Sequence, residues 1–186
     1  MDPILQPCDV FLTRGTSLVS RLIRFFTRSF GESRTLVNHV GVIVQPGTPS
    51  TAVGVEALSR VRRHTLGSQY GPGSSDLVAV YRPLNLSAAE QAAIVAAAQG
   101  YVGRTYGYLA IAAHVLDWCL LGAYCARRLV RMDRYPICSW LVAHAFGKAD
   151  KHFGVASGMA TPDDIWDFVT TRPQSYALIR PLSRLW

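Results

Sequence analysis

Asn38-His39-Val40-Gly41-Val42-Ile43-Val44 is a run of seven residues in which only Asn38 and His39 are polar. It ends at the turn-rich stretch Gln45-Pro46-Gly47-Thr48-Pro49-Ser50. A short apolar run stopped by proline and glycine predicts a buried β-strand over 38–45. A second apolar run, Ala52-Val53-Gly54-Val55-Glu56-Ala57-Leu58, predicts a partner strand over 52–58. Side chains alternate between faces along a strand, so His39, Gly41 and Ile43 share one face and Asn38, Val40 and Val42 the other. A hairpin of these two strands brings Glu56 near His39. A carboxylate there would fix the tautomer of the imidazole and stabilise its charged form.

Outward from this hairpin, Cys8-Asp9-Val10-Phe11-Leu12-Thr13 predicts an earlier strand, ended by Arg14-Gly15. Residues 17–30 carry Leu18, Leu22, Phe25 and Phe26 at helical spacing, with Arg21, Arg24 and Arg28 on another face. Residues 59–76 hold Arg60, Arg62, Arg63, His64 and a Gly-Pro-Gly-Ser-Ser cluster, and read as a long loop. Leu77 to Tyr81 predicts a strand. Ser87-Ala88-Ala89-Glu90 has capping-box spacing and opens an alanine-rich helix to about Gly100. Thr161-Pro162-Asp163-Asp164 opens another, with threonine as cap and proline in the first turn. Tyr176 to Arg180 predicts a last strand. The mixture is α+β, an antiparallel sheet or small barrel packed with helices. With no repeat or linker, 1–186 reads as one domain.

Cys138 lies in Tyr135-Pro136-Ile137-Cys138-Ser139-Trp140-Leu141-Val142-Ala143, where a loop gives way to a helix. A thiol at a helix start feels the positive end of the dipole, which favours thiolate. Beside His39 it would form the nucleophile–base pair of cysteine hydrolases. Taken singly, each member is ordinary: a buried strand histidine, a strand glutamate, a core cysteine. The other cysteines (8, 119 and 125) show no metal spacing, and no His/Cys/Asp/Glu set predicts zinc or another cofactor. His144, six residues past Cys138, points to another side of the helix. His114 reads as a core residue, and His64 and His152 as surface loop residues.

Together with their surroundings, these segments resemble a known family. Asp9-Val10-Phe11-Leu12-Thr13-Arg14-Gly15, Asn38 to Val44, Val55-Glu56-Ala57-Leu58 and Ile137-Cys138-Ser139-Trp140-Leu141-Val142 are similar to the circularly permuted NlpC/P60 cysteine hydrolases. The nearest subgroup is YiiX/YebB-like. Thr105-Tyr106-Gly107-Tyr108 and Thr161 to Trp166 are also similar to family segments. The resemblance implies a permuted papain-like fold, with histidine before cysteine in the chain. It places the family's histidine on His39, its third polar residue on Glu56 and its nucleophile on Cys138. It further implies cleavage of an amide, peptide or ester bond through a thioester, often on cell-wall peptides. The expected substrate is a peptide, an amino-acid amide or, as in relatives of lecithin:retinol acyltransferase type, an acyl lipid. A non-catalytic binding module on the same scaffold is the third reading. The oxyanion would meet the Cys138 backbone N–H and a second donor, with Asn38, Tyr106 and Tyr108 as candidates.

Charge bears on the partner. The 186 residues carry a net charge of +7, and only two of the 19 basic residues are lysines. Such a balance favours an anionic partner, including a membrane surface. The arginines are scattered and no nucleic-acid module is recognisable, so nucleic acid is not expected. Residues 107–126 form a long apolar stretch followed by Arg127, Arg128 and Arg131. Asp117 near its middle would cost about 2.5–3.5 kcal/mol in a bilayer, which favours a buried helix over a spanning one. Met1 to Cys8 lacks the basic patch and apolar run of a signal peptide. The expectation is a cytoplasmic protein with peripheral membrane contact.

Overall fold

The computed structural model describes residues 3–16, 20, 35–107 and 134–186. The expected helix over 17–30, the apolar stretch beyond Gly107 and Tyr108 lie outside the described residues, apart from Ser20. Along the chain, β1 (Val10–Arg14), β2 (His39–Gln45), β3 (Val53–Ala57) and β4 (Val61–Thr65) are followed by the short helix α1 (Leu66–Tyr70). Then come β5 (Leu77–Pro83), α2 (Ala88–Gln99), α3 (Cys138–Gly147), α4 (Pro162–Thr170) and β6 (Tyr176–Arg184).

The six strands form one antiparallel sheet in the order β4-β3-β2-β1-β5-β6. Among the described residues β4 and β6 are its outer strands and do not pair with each other. An antiparallel sheet with one wet face shows strict alternation of apolar and polar residues. β2 does not: Val40 to Val44 are all buried, because both faces are covered. On one face Val10, Leu12, Val40, Val42, Val55 and Ala79 pack with α2, α3 and α4 residues such as Ile94, Leu141, Phe146 and Ile165. On the other, Phe11, Ile43, Val78 and Val80 pack with Leu5, Leu66, Tyr70 and Leu185.

The helix starts follow the sequence signals. Ser87 and Glu90 close a capping box at α2, and Thr161 and Asp164 close another at α4, with Pro162 in its first turn. Each satisfies backbone N–H groups that a helix start would leave open. The expected loop over 59–76 is the main departure. Its first part is β4 and its middle is α1, capped by Thr65, whose Oγ1 accepts from Ser68 N–H. Strand signals are weak there because β4 is an outer strand: only Val61 is fully buried, and Arg62 and Arg63 are exposed.

Candidate active site

β2 and β3 pair with Gly41 opposite Glu56, which sets Glu56 diagonally beside His39 on the same face. The approach is close. A Cβ on Gly41 would lie 2.2 Å from the Phe11 ring and 2.9 Å from Glu56 Cβ, so glycine is required by space. Glu56 has a completely buried side chain, and its Oε2 accepts from His39 Nε2. The Tyr70 hydroxyl donates to the same oxygen at 2.6 Å. β4 pairs with β3 so that His64 faces Gly54, and this sets His64 on the opposite diagonal. Its Nε2 lies 2.7 Å from Glu56 Oε1, an ion-pair contact made outside hydrogen-bond alignment. One buried carboxylate is therefore held between two histidines.

Cys138 reaches the other end of His39. It is the first residue of α3, after Ile137, which offers no side-chain cap. Ser139 Oγ donates to Ala160 C=O at 2.6 Å and ties this helix start to the chain leading into α4. The helix packs on β2, and the Cys138 thiol meets His39 in a hydrogen bond. Since Nε2 of His39 is engaged with Glu56, Nδ1 is the ring nitrogen left for the sulfur.

The electrostatics follow from this layout. Burial alone would push the Cys138 thiol up, but the His39 charge and hydrogen bond outweigh it, and its pKa is lowered. Backbone N–H groups of Val40 and Ser139 also favour the thiolate. Burial would lower His39, yet the Cys138 and Glu56 charges raise it to about 10. Burial would raise Glu56, and the two histidines bring it down to about 2. For His64, burial is outweighed by Glu56, and the shift is upward. The arrangement sets Cys138, His39 and Glu56 in a row, and the directions of their shifts favour thiolate, imidazolium and carboxylate. Chemically, such a row presents a nucleophile and a proton donor to one bound group.

The remaining candidates sit differently. Asn38 Oδ1 accepts from Gly15 N–H at 2.7 Å, and its own N–H donates to Thr13 C=O, so its side chain fastens the end of β1 to β2. Tyr106 is buried in the core cluster that also contains Cys138. His144 stacks on Trp140 with ring centroids 4.5 Å apart, a packing contact. His152 is exposed beside Asp150. His64 is the correction: it is a half-buried strand residue on Glu56, not a surface loop residue. Nothing in the sequence marks Tyr70 as a site residue either. The one available signal was distance along the chain, since a second hairpin after 52–58 returns residues 61–65 past Glu56.

No protein-family model matches the chain, and no curated protein matches it. Among solved structures, the fold is similar to the crystal structure of YiiX from Escherichia coli O157:H7, described as a metalloprotein and as DUF1105. The TM-score is 0.56 at 20% identity, covering 83% of this chain and 71% of that one. Among the described residues here, no group of three or more histidine, cysteine, aspartate or glutamate side chains is placed to hold a metal ion. No described helix is long and apolar enough to cross a membrane. At this identity the likeness is one of architecture: an α+β chain whose fold resembles that of YiiX.

Proposed function

We propose that the protein is a cysteine hydrolase of the permuted NlpC/P60 type, acting on an amide, peptide or ester bond. The observation that carries this reading is His39 held between Cys138 and Glu56, with the thiol shifted down and the imidazole up. The Cys138 thiolate attacks the carbonyl carbon, and the C=O electron pair moves to oxygen. The oxyanion is met by the Cys138 backbone N–H, with Asn38, Tyr106 and Tyr108 as candidates for a second donor. As the tetrahedral adduct collapses, His39 gives its proton to the leaving amine or alkoxide, and a thioester remains. Neutral His39 then takes a proton from water, hydroxide adds to the thioester, and collapse returns thiolate, imidazolium and a carboxylic acid. Glu56 stays ionised and keeps His39 in orientation.

The substrate class proposed is a peptide or amino-acid amide, including cell-wall peptides, in a cytoplasmic protein. An acyl-lipid substrate is the alternative, and it rests on the amphipathic stretch 17–30 and the apolar stretch 107–126. Salt-sensitive co-sedimentation with anionic vesicles would favour the lipid.

The test is reaction with p-nitrophenyl acetate, followed by intact mass and peptide mapping. The expected result is release of p-nitrophenolate with an acetyl group on Cys138, absent in Cys138→Ala and strongly reduced in His39→Ala. Acetylation spread over all cysteines and indifferent to His39→Ala would overturn the reading.

A further inference from the structure

The face that carries Glu56 continues through His64 and Arg62 to the outer strand β4, whose start makes backbone bonds to residues 103–105. Around this strand Arg62 and His64 on that face, Arg63 on the other and Arg60 just ahead of it line a cavity of about 550 Å³, together with Ser68, Gln69, Val102 and Gly103. The size suits a small organic ligand. Arg60, Arg62 and Arg63 are exposed, and among the described residues none of them meets a carboxylate. No described acid lines the cavity, and Glu56 behind His64 is committed to the two histidines.

Beside these arginines stands His64, whose protonated form Glu56 favours. Its Nδ1 lies 3.0 Å from Thr65 C=O and its Nε2 lies 2.7 Å from Glu56 Oε1. Both neighbours are acceptors, and the Glu56 carboxylate beside Nε2 favours the imidazolium by charge, in a contact not aligned as a hydrogen bond. His64 Nδ1 is taken by the Thr65 carbonyl and its Nε2 is buried against Glu56, so it offers the cavity charge and leaves hydrogen bonding to the guanidinium forks. Arginine forks match the paired oxygens of carboxylates and phosphates.

We propose that this cavity is a binding subsite for a small ligand bearing an oxyanion, of carboxylate or phosphate type, with Arg60, Arg62 and Arg63 as its donors and His64 as its titrating member. It lies on the far side of Glu56 from His39 and Cys138, and does not depend on the reaction proposed for the cysteine. Binding and protonation are linked: the anion holds the proton on His64, and loss of that proton weakens the anion. Burial lowers His64, Glu56 on β3 and the Thr65 carbonyl raise it, and the His39 charge on β2 opposes them, while Arg62 and Arg63 flank it on its own strand. Tyr70 on α1 acts through Glu56, as does Asp76 ahead of β5, which feels both His39 and Glu56.

The test titrates the intact protein with sodium sulfate and, in a second arm, sodium succinate, each against sodium chloride at matched ionic strength. The His64 Cε1–H resonance is followed over a pH series upward from the ordinary histidine value of 6.5 until it stops shifting; sulfate keeps its charge throughout. The expected result is a saturable shift above the chloride control, weakening as pH rises through the His64 titration. Arg62→Gln should weaken binding about tenfold, and the combined Arg60→Gln, Arg62→Gln, Arg63→Gln variant should remove it. In His64→Gln, followed by heat of binding, the pH step should vanish. Sulfate alone saturating identifies a phosphate-type ligand, and succinate alone a carboxylate. No saturation with either anion, or saturation unchanged in the arginine variants, would overturn the proposal.

Discussion

Two buried cysteines, one just ahead of β1 and one opening α3, have opposite chemistry. Cys8 is completely buried, has a left-handed backbone (φ 71°), and places its Sγ 3.6 Å from Gln91 C=O. Burial, with the Asp9 charge adding to it, pushes its pKa up to about 12. Cys138 is only 5% exposed and pays the same kind of desolvation, yet its pKa moves down. Both thiols are short of water, so burial does not separate them. A histidine charge, itself secured by a buried carboxylate, does.

The largest effect should come from breaking the support of that histidine. Glu56→Gln keeps the shape but removes the charge shared by His39 and His64, at a cost of about 3–5 kcal/mol in urea unfolding at neutral pH. The sign with pH is fixed by the direction of the Glu56 shift. Its folded pKa of about 2 lies below the ordinary 4.5, so its stabilisation is full above 4.5 and is lost as pH falls towards 2. Acid unfolding curves should therefore be flatter across that window in Glu56→Gln than in the parent chain.

Next in size is the contrast in reactivity itself. At mildly acidic pH, iodoacetamide should label Cys138 and leave Cys8 untouched in the folded protein, as read by peptide mapping. In His39→Ala the Cys138 rate should fall about a hundredfold, since an ordinary thiol is then only about 1% thiolate. Equal labelling of the two cysteines before and after that change would erase the comparison.

Smaller again is Tyr70→Phe, which takes one donor from Glu56 Oε2. It should cost about 1–2 kcal/mol of stability and slow Cys138 labelling less than His39→Ala does. The smallest is Cys8→Ala: about 1 kcal/mol in thermal unfolding, with Cys138 labelling unchanged.

Much of this site could be read before any fold was known. Alternation along 38–44 put His39 and Gly41 on one face, and the turn at 45–50 returned the chain so that Glu56 came beside them. The capping signals at Ser87 and Thr161 marked true helix starts, because caps act through bonds within four residues. β4 escaped notice because an outer strand has one flank in water and shows little apolar pattern. Without that pattern, His64 reads as a loop residue. Tyr70 was missed because α1 spans only five residues and carries no helical periodicity of its own.

What the sequence determined by itself was local: strand faces, helix caps, a thiol at a helix start, a carboxylate one hairpin from a histidine. These depend on backbone bonds and side-chain alternation over a few residues. Tertiary structure alone decided that Cys138 meets His39, that Cys8 is sealed beneath α2, and that one carboxylate serves two histidines from strands on either side. Those are contacts between distant segments, and their charge states depend on burial, which no stretch of chain carries on its own.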